Sequence, residues 1–228
     1  MASALILAAG RGARLRPLTD ALPKPLLKAG GRPLIDWQVE SLVRAGYTDL
    51  VVNHAYLGEM IAAALGDGSR FGARIRYSAE SPALETGGGV VQALALLPPE
   101  PFLVVSADIY TGFDYASLAA PIARIAQEPA DCDAHFVLVD NPPWHPQGDM
   151  GIASGRVTRE GPKLTYGNIS VFHPRMFDAI VPGTHFRLFP WAYRFVDAGR
   201  VTGERFTGDW DNVGTPAHLE ALDRRLSK

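Results

Sequence analysis

Five short β-prone runs punctuate the first 140 residues: Ala4 to Ala8, Leu50 to Asn53, Ile75 to Ser78, Phe102 to Ser106 and His135 to Val139. Helix-length stretches separate them. Leu34 to Ala45 carries Ile35, Val39, Leu42 and Val43 at helical spacing, and Gly58 to Leu65 and Thr86 to Leu97 read the same way. Apolar strands with no wet face, alternating with amphipathic helices, need a sheet covered on both sides. The expected fold is therefore α/β, a doubly wound, mostly parallel, Rossmann-like sheet.

The pattern changes at Asn141-Pro142-Pro143-Trp144-His145-Pro146, where three prolines within five residues forbid a central strand or a helix interior. Beyond it, Gly151 to Arg159 and Leu164 to Val171 read as hairpin strands around Gly155 and Gly161. Helices are expected over about 174–181 and 189–198, with a last one from Pro216 to Leu226. Without repeats or a long linker, the chain is expected to form one domain over 1–228, an α/β core over 1–140 with a small β-hairpin and helix elaboration over 141–228.

Charge narrows the partners. With 22 basic and 24 acidic residues the net charge is −2, so no global field draws the chain to nucleic acid or an anionic membrane, and any phosphate must be held locally. The single cysteine, Cys132, excludes a disulfide scaffold and a cysteine-built zinc site and fits a reducing compartment. The apolar start lacks a preceding basic residue and soon meets Gly10-Arg11, so it reads as a strand and not as a signal segment. No apolar run approaches the roughly 18 residues of a membrane span, which makes the cytoplasm the expected location.

The first strand runs into Leu7-Ala8-Ala9-Gly10-Arg11-Gly12-Ala13-Arg14-Leu15-Arg16-Pro17-Leu18-Thr19. Glycine lets backbone N–H groups approach a phosphate closely, and arginines add charge-assisted hydrogen bonds. A loop that merely ends a strand, with solvated arginines, is equally compatible with these residues. The dinucleotide fingerprint is excluded, because Leu15 stands where its third glycine belongs, and a Walker loop is excluded because the chain has no Gly-Lys dipeptide. Lys24 follows between Pro23 and Pro25, which fix φ on both sides and bias Leu22 and Lys24 toward extended geometry. This stiff backbone suits a residue that meets a phosphate, or a surface turn.

Leu84-Glu85-Thr86-Gly87-Gly88-Gly89 opens an expected helix. Three glycines there suggest a flat or anionic group close to the backbone, or ordinary helix-start chemistry with Thr86 as cap. Asp108 follows the buried run Phe102 to Ala107, at the carboxyl edge where open α/β sheets bind ligands. A carboxylate opposite phosphates there suits Mg²⁺, and a capping role for the next segment is the alternative. Trp210-Asp211-Asn212-Val213-Gly214-Thr215 offers a second oxygen ligand. No paired-histidine metal spacing and no Gly-x-Ser-x-Gly elbow occur.

These words, with Pro23-Lys24-Pro25-Leu26, resemble the signature of the sugar-1-phosphate nucleotidyltransferases, and the resemblance runs along nearly the whole chain. Val52 to Gly58, Leu84 to Gly89 and Leu138 to Pro142 look most like the N-acetylmuramate 1-phosphate uridylyltransferases of cell-wall recycling. The resemblance implies a GT-A-like fold and attack of a sugar 1-phosphate on the α-phosphorus of a nucleoside triphosphate, most simply UTP, with release of pyrophosphate. It implies catalytic roles for Arg14, Lys24 and Asp108, and nucleotide contacts from Leu7, Ala8, Ala9, Gly10, Arg11, Gly12, Glu85, Thr86, Gly87 and Gly88.

Sugar contacts are implied for Asn53, Asn168 and Arg187, with Lys28 and Arg32 as further cations for a lactyl carboxylate, and Mg²⁺ on Asp108 and Asn212. Two departures stand out. Ser106-Ala107 precedes the metal aspartate where relatives have Asn-Gly, and Asn212 replaces the second metal carboxylate, with Asp211 one residue early. Strand alternation turns Asp211 to the opposite face, which favours Asn212 as ligand and weaker Mg²⁺ binding. A glucose, mannose or heptose 1-phosphate with another nucleotide, or a regulatory protein that binds nucleotide sugars without turnover, are the alternatives.

Overall fold

In the computed structural model, which describes residues 3–227, the expected runs become strands, with both faces covered over Ala4 to Ile6, Leu50 to Asn53, Phe102 to Val105 and Ala134 to Val139 and the Arg74 to Ala79 strand partly exposed. Leu5, Val51 and Val104 pack into one buried cluster while their neighbours Ile6, Val52 and Val105 pack into the other, so alternation along each strand feeds two separate layers. In chain order the strands are β1 (Ser3–Leu7), β2 (Lys28–Ala29), β3 (Arg32–Pro33), β4 (Asp49–His54), β5 (Arg74–Ala79), β6 (Phe102–Ser106), β7 (Ile109–Thr111), β8 (Ala134–Val139), β9 (Gly151–Ala153), β10 (Arg156–Thr158), β11 (Thr165–Phe172), β12 (Val201–Phe206) and β13 (Trp210–Asn212). The helices are α1 (Leu18–Ala21), α2 (Leu34–Arg44), α3 (Gly58–Leu65), α4 (Glu85–Ala93), α5 (Ala119–Gln127), α6 (Leu188–Trp191), α7 (Tyr193–Asp197) and α8 (Pro216–Leu226).

Nine strands form one mixed sheet in the order β5-β4-β1-β6-β11-β8-β12-β10-β9, in which β5, β4, β1 and β6 are mutually parallel. The chain winds outward from β1 to β5 and then returns to place β6 on the other side of β1. That reversal makes the carboxyl ends of β1 and β6 the switch point where a crevice opens. A small ladder of β7 with β13 is tied to it, since Asn212 pairs with Ile109 just beyond Asp108.

Several expectations change. β9 and β10 do form a hairpin around Gly155, but β11 does not pair across Gly161; it inserts between β6 and β8, joined to Met150 only by a bridge at Leu164. Ile169 to Phe172 are buried on both faces, and that burial outweighs the turn signal in choosing partners. The 174–181 helix shrinks to a single 3-10 turn, Pro174–Phe177. The 189–198 helix divides into α6 and α7, with Phe189 extended before Pro190 as the proline ring demands. The sequence pattern missed α5, whose periodicity is interrupted by Pro121 in its first turn. Among the described residues no helix is long and apolar enough to cross a membrane.

At the amino edge of the sheet, away from the crevice, Asp133 is 2% exposed between two arginines. Arg175 donates to its Oδ1 at 2.7 Å and Arg200 to its Oδ2. Burial pushes this carboxyl up, but the hydrogen bonds from Arg200 and Arg175 outweigh it and hold the group below the usual range. Its stabilising effect is present above the unfolded value of about 3.9 and is lost as pH falls through the lower native value. Asp133→Ala, which removes the buried carboxylate that both guanidinium groups share and leaves them only backbone carbonyl partners, is expected to cost about 3 kcal/mol in urea titrations. Asp133→Asn should flatten the acid limb of stability against pH, and an unchanged acid limb in that variant would exclude the linkage.

Candidate active site

The carboxyl ends of β1, β4, β5 and β6 surround a cleft of about 500 Å³, closed on the far side by Asn168 and Asn212. Leu7 to Arg11 form one wall. At Gly10 a Cβ would meet no atom within 4 Å, so the backbone there faces open space that an anion can approach. Gly12 works differently: its φ is +66°, and a Cβ would lie 3.0 Å from Thr19 Cγ2 and 3.1 Å from Lys24 Cβ. It folds the turn against its own neighbours and stands behind the cleft wall. Arg11 lines the cleft while its guanidinium is held by Thr19 O at 2.6 Å, by Asp20 at 3.0 Å and over the Tyr56 ring.

Arg14 is exposed beside the cleft and not in its wall. Its guanidinium lies against Gly214, 3.3 Å from where a Cβ would stand, and it makes no ion pair among the described residues. Lys24 is 9% exposed and its ammonium pairs with Asp108 Oδ2. The expected extended backbone is not what Lys24 adopts. It opens a 3-10 turn closed by Leu26 N–H to Pro23 O at 2.9 Å and Leu27 N–H to Lys24 O at 3.1 Å, and those bonds override the bias from Pro25, while Leu22 is extended as expected.

Asp108 follows β6 by two residues and its carbonyl accepts the Val213 N–H at 2.9 Å, which pins β13 across the cleft mouth. Asn212 faces the cleft, and its Oδ1 is buried without a hydrogen-bond partner. An orphaned buried acceptor is costly unless something occupies the space it faces. Asp211, on the opposite face of β13, pairs with Arg225. Among the described residues no group of three or more His, Cys, Asp or Glu forms a metal cluster; Asp108 and Asn212, the two oxygen ligands expected from the sequence, both line the cleft.

Asn168 sits at φ +57° in the bulge where β11 shifts register between Tyr166 and Ile169. Left-handed backbone outside glycine is strained, and here it turns the carboxamide into the cleft opposite Ser106, whose Oγ lies 3.5 Å from Asn168 Oδ1. The Trp210 indole donates to Gly167 O at 2.9 Å and fixes the bulge from outside.

The other end of the cleft carries Ala83, Glu85 and Thr86, with Glu85 at φ +65°. Gly87 and Gly88 are not in its wall, against the expectation of a ligand close to their backbone. Both N–H groups donate to Phe186 O at 3.1 Å, and a Cβ at Gly87 would strike the Phe186 ring. The group near these glycines is the chain itself, and the Phe186 carbonyl takes the capping role expected of Thr86, with no side-chain cap on α4. Arg187, 76% exposed, lies outside the cleft wall with Nε 3.7 Å from Glu85. Arg32 is committed to Glu40 and the Trp37 ring, and Lys28 stands exposed on β2, so neither borders the cleft.

Asn53 lines the cleft, yet its carboxamide is engaged inward: Oδ1 accepts the Ala8 N–H at 2.7 Å and Nδ2 donates to Glu80 Oε1 at 2.6 Å. Glu80 was missed by sequence reasoning, although a carboxylate directly after a β-prone run, in which Ile75 and Tyr77 alternate with polar residues, was the available signal. Burial pushes its carboxyl up, offset by hydrogen bonds from Leu84 and Asn53 and by His54 nearby.

The nucleotidyl transferase family model matches residues 3–168. The chain belongs to the nucleotidyl transferase family. As a nucleotidyl transferase it is 44% identical over 222 residues to the N-acetylmuramate alpha-1-phosphate uridylyltransferase of Neisseria meningitidis, covering 95% of both chains. The protein of the same description from Caulobacter vibrioides is 33% identical, over 99% of this chain and 97% of that one. The fold matches HddC from Yersinia pseudotuberculosis complexed with GMP-PN, at a TM-score of 0.81, 19% identity and 99% coverage of each chain.

Proposed function

We propose that this enzyme transfers the uridylyl group of UTP to N-acetylmuramate 1-phosphate, yielding UDP-N-acetylmuramate and pyrophosphate. The observation that carries the transfer chemistry is the convergence of open Gly10 backbone, Lys24, Asp108 and the orphaned Asn212 Oδ1 at one switch point. The choice of substrates rests on the Neisseria and Caulobacter relatives, which cover nearly the whole chain.

In this reading the triphosphate lies along Gly10 and Arg11, the base reaches toward Glu85 and Thr86, and the sugar lies near Asn168. The incoming phosphate oxygen bonds to the α-phosphorus as the bond from that phosphorus to the bridging oxygen breaks, and pyrophosphate leaves with the electron pair. Arg14, free of an ion pair at the rim, stabilises that leaving charge. Lys24 holds the α-phosphoryl oxygens where negative charge builds. Catalysis of this kind is positioning and charge neutralisation. Asp108 and Asn212 supply two oxygens suited to Mg²⁺, which takes few protein ligands and completes its shell with phosphate and water. When bound, the ion would neutralise phosphate charge.

The test is pyrophosphate release in Mg²⁺ buffer for four nucleoside triphosphates against N-acetylmuramate, N-acetylglucosamine, glucose and mannose 1-phosphates. Turnover confined to UTP with N-acetylmuramate 1-phosphate is the expected result. Turnover confined to another pair overturns the substrate assignment, and silence with nucleotide still bound overturns the enzymatic one.

A further inference from the structure

Asn53 and Glu80 are 2% and 6% exposed, and the transfer chemistry gives neither a task. Their hydrogen bonds form an unbroken chain. Ala8 N–H donates to Asn53 Oδ1 at 2.7 Å, Asn53 Nδ2 donates to Glu80 Oε1 at 2.6 Å, and Leu84 N–H donates to Glu80 Oε2 at 2.8 Å. A fourth bond, Glu80 N–H to His54 O at 2.8 Å, fixes the backbone that carries the carboxylate. The chain of bonds starts two residues before Gly10 and ends one residue before Glu85, so it links the glycine-turn wall of the cleft to the end that carries Glu85 and Thr86.

The polarity of this link dictates its residue types. Both ends are backbone donors, so the two side chains between them must present an acceptor at each end and one donor in the middle. An amide facing Ala8 and a carboxylate facing Leu84 meet that condition. Helix α4 makes room for them. A Cβ at Gly89 would lie 2.5 Å from Asn53 Nδ2 and 2.6 Å from Glu80 Oε1, so the third glycine of the run keeps the helix clear of the pair.

We infer that the Asn53–Glu80 pair is a positioning device that fixes the distance between the phosphate-facing turn and the base-facing loop, and thereby sets affinity for the nucleoside triphosphate. The inference rests on the nucleotide occupancy proposed above. Both are positioning residues, since every polar atom of the two side chains already has a partner within the protein.

The experiment is steady-state kinetics on the full chain, with UTP and N-acetylmuramate 1-phosphate varied separately. Glu80→Gln turns a donor toward a donor, and Asn53→Asp turns an acceptor toward an acceptor. Each is expected to raise the KM for UTP about tenfold or more, leaving kcat and the sugar-phosphate KM within about threefold. The double variant Asn53→Asp/Glu80→Gln reverses the middle bond while both outer N–H groups keep an acceptor. It is expected to return the UTP KM to within about threefold of the parent, a coupling that simple loss of packing would not produce.

Gly89→Ala, which wedges the pair from behind without removing a polar group, should raise the same KM if either single variant fails to fold. An unchanged KM in the folded single variants, a double variant as poor as the singles, or a loss confined to kcat overturns the inference while turnover by the parent leaves the proposed function standing. A parent enzyme silent with every nucleotide removes the proposed function, and this inference with it.

Discussion

Asp108→Ala is expected to reduce kcat by at least about 10³-fold, a loss of about 4 kcal/mol of transition-state stabilisation. Its carboxylate pairs with Lys24 and lines the same cleft as Asn212. Without it, the proposed ion would keep only the neutral Asn212 Oδ1 of the two assigned oxygens, and the Lys24 ammonium has no counter-charge. The backbone role of Asp108 survives the substitution, because Val213 N–H bonds to its carbonyl and not to its side chain. The melting temperature should fall, because the buried Lys24 ammonium loses its partner, while nucleotide binding by the folded variant stays close to the parent and pyrophosphate release drops by the stated factor. Asp108→Asn, which keeps an oxygen in place without the charge, should retain more turnover than the alanine variant. An alanine variant within tenfold of the parent would remove the aspartate from the chemistry.

How much of this was legible in the sequence depends on whether the signal was local. The parallel half of the sheet was, because β1, β4 and β6 are short apolar runs separated by α2, α3 and α4 at helical spacing, and Phe102 to Ser106 forms β6 with the expected bounds. The face assignment at β13 was also legible, since alternation alone puts Asp211 and Asn212 on opposite sides. The insertion of β11 between β6 and β8 was not, because partner choice among apolar strands is settled by long-range burial and not by turn residues.

The glycine run shows the same limit within the site. Three glycines at a helix start announce a close approach, but the sequence does not say whether a ligand or the chain approaches. Here Phe186, nearly a hundred residues away, and the Asn53–Glu80 pair occupy that space. Asn53 was legible as a residue of the cleft and not as one whose amide faces inward, because its partners Ala8 and Glu80 arrive on different strands.

Lys24→Met is expected to lower kcat by about 10²–10³-fold, with nucleotide affinity changing less than about tenfold. The argument turns on where its charge is held. The side chain is 11% exposed, its stem packs on the Cα side of Gly12, and its ammonium reaches the cleft only at Asp108. A point charge so confined interacts most strongly with phosphoryl oxygens that gain charge during transfer, and it contributes little to a triphosphate already held along Gly10 and Arg11. Lys24→Arg should not rescue. The side chain is nearly buried and ends on Asp108, and a planar guanidinium is wider than an ammonium, so arginine would have to displace that contact. Rapid-quench measurement of the first turnover separates this from slow product release. An arginine variant with full single-turnover rate would show that any cation at this position suffices, whereas a methionine variant with full single-turnover rate would move the catalytic charge from Lys24 to the arginines of the glycine-rich turn.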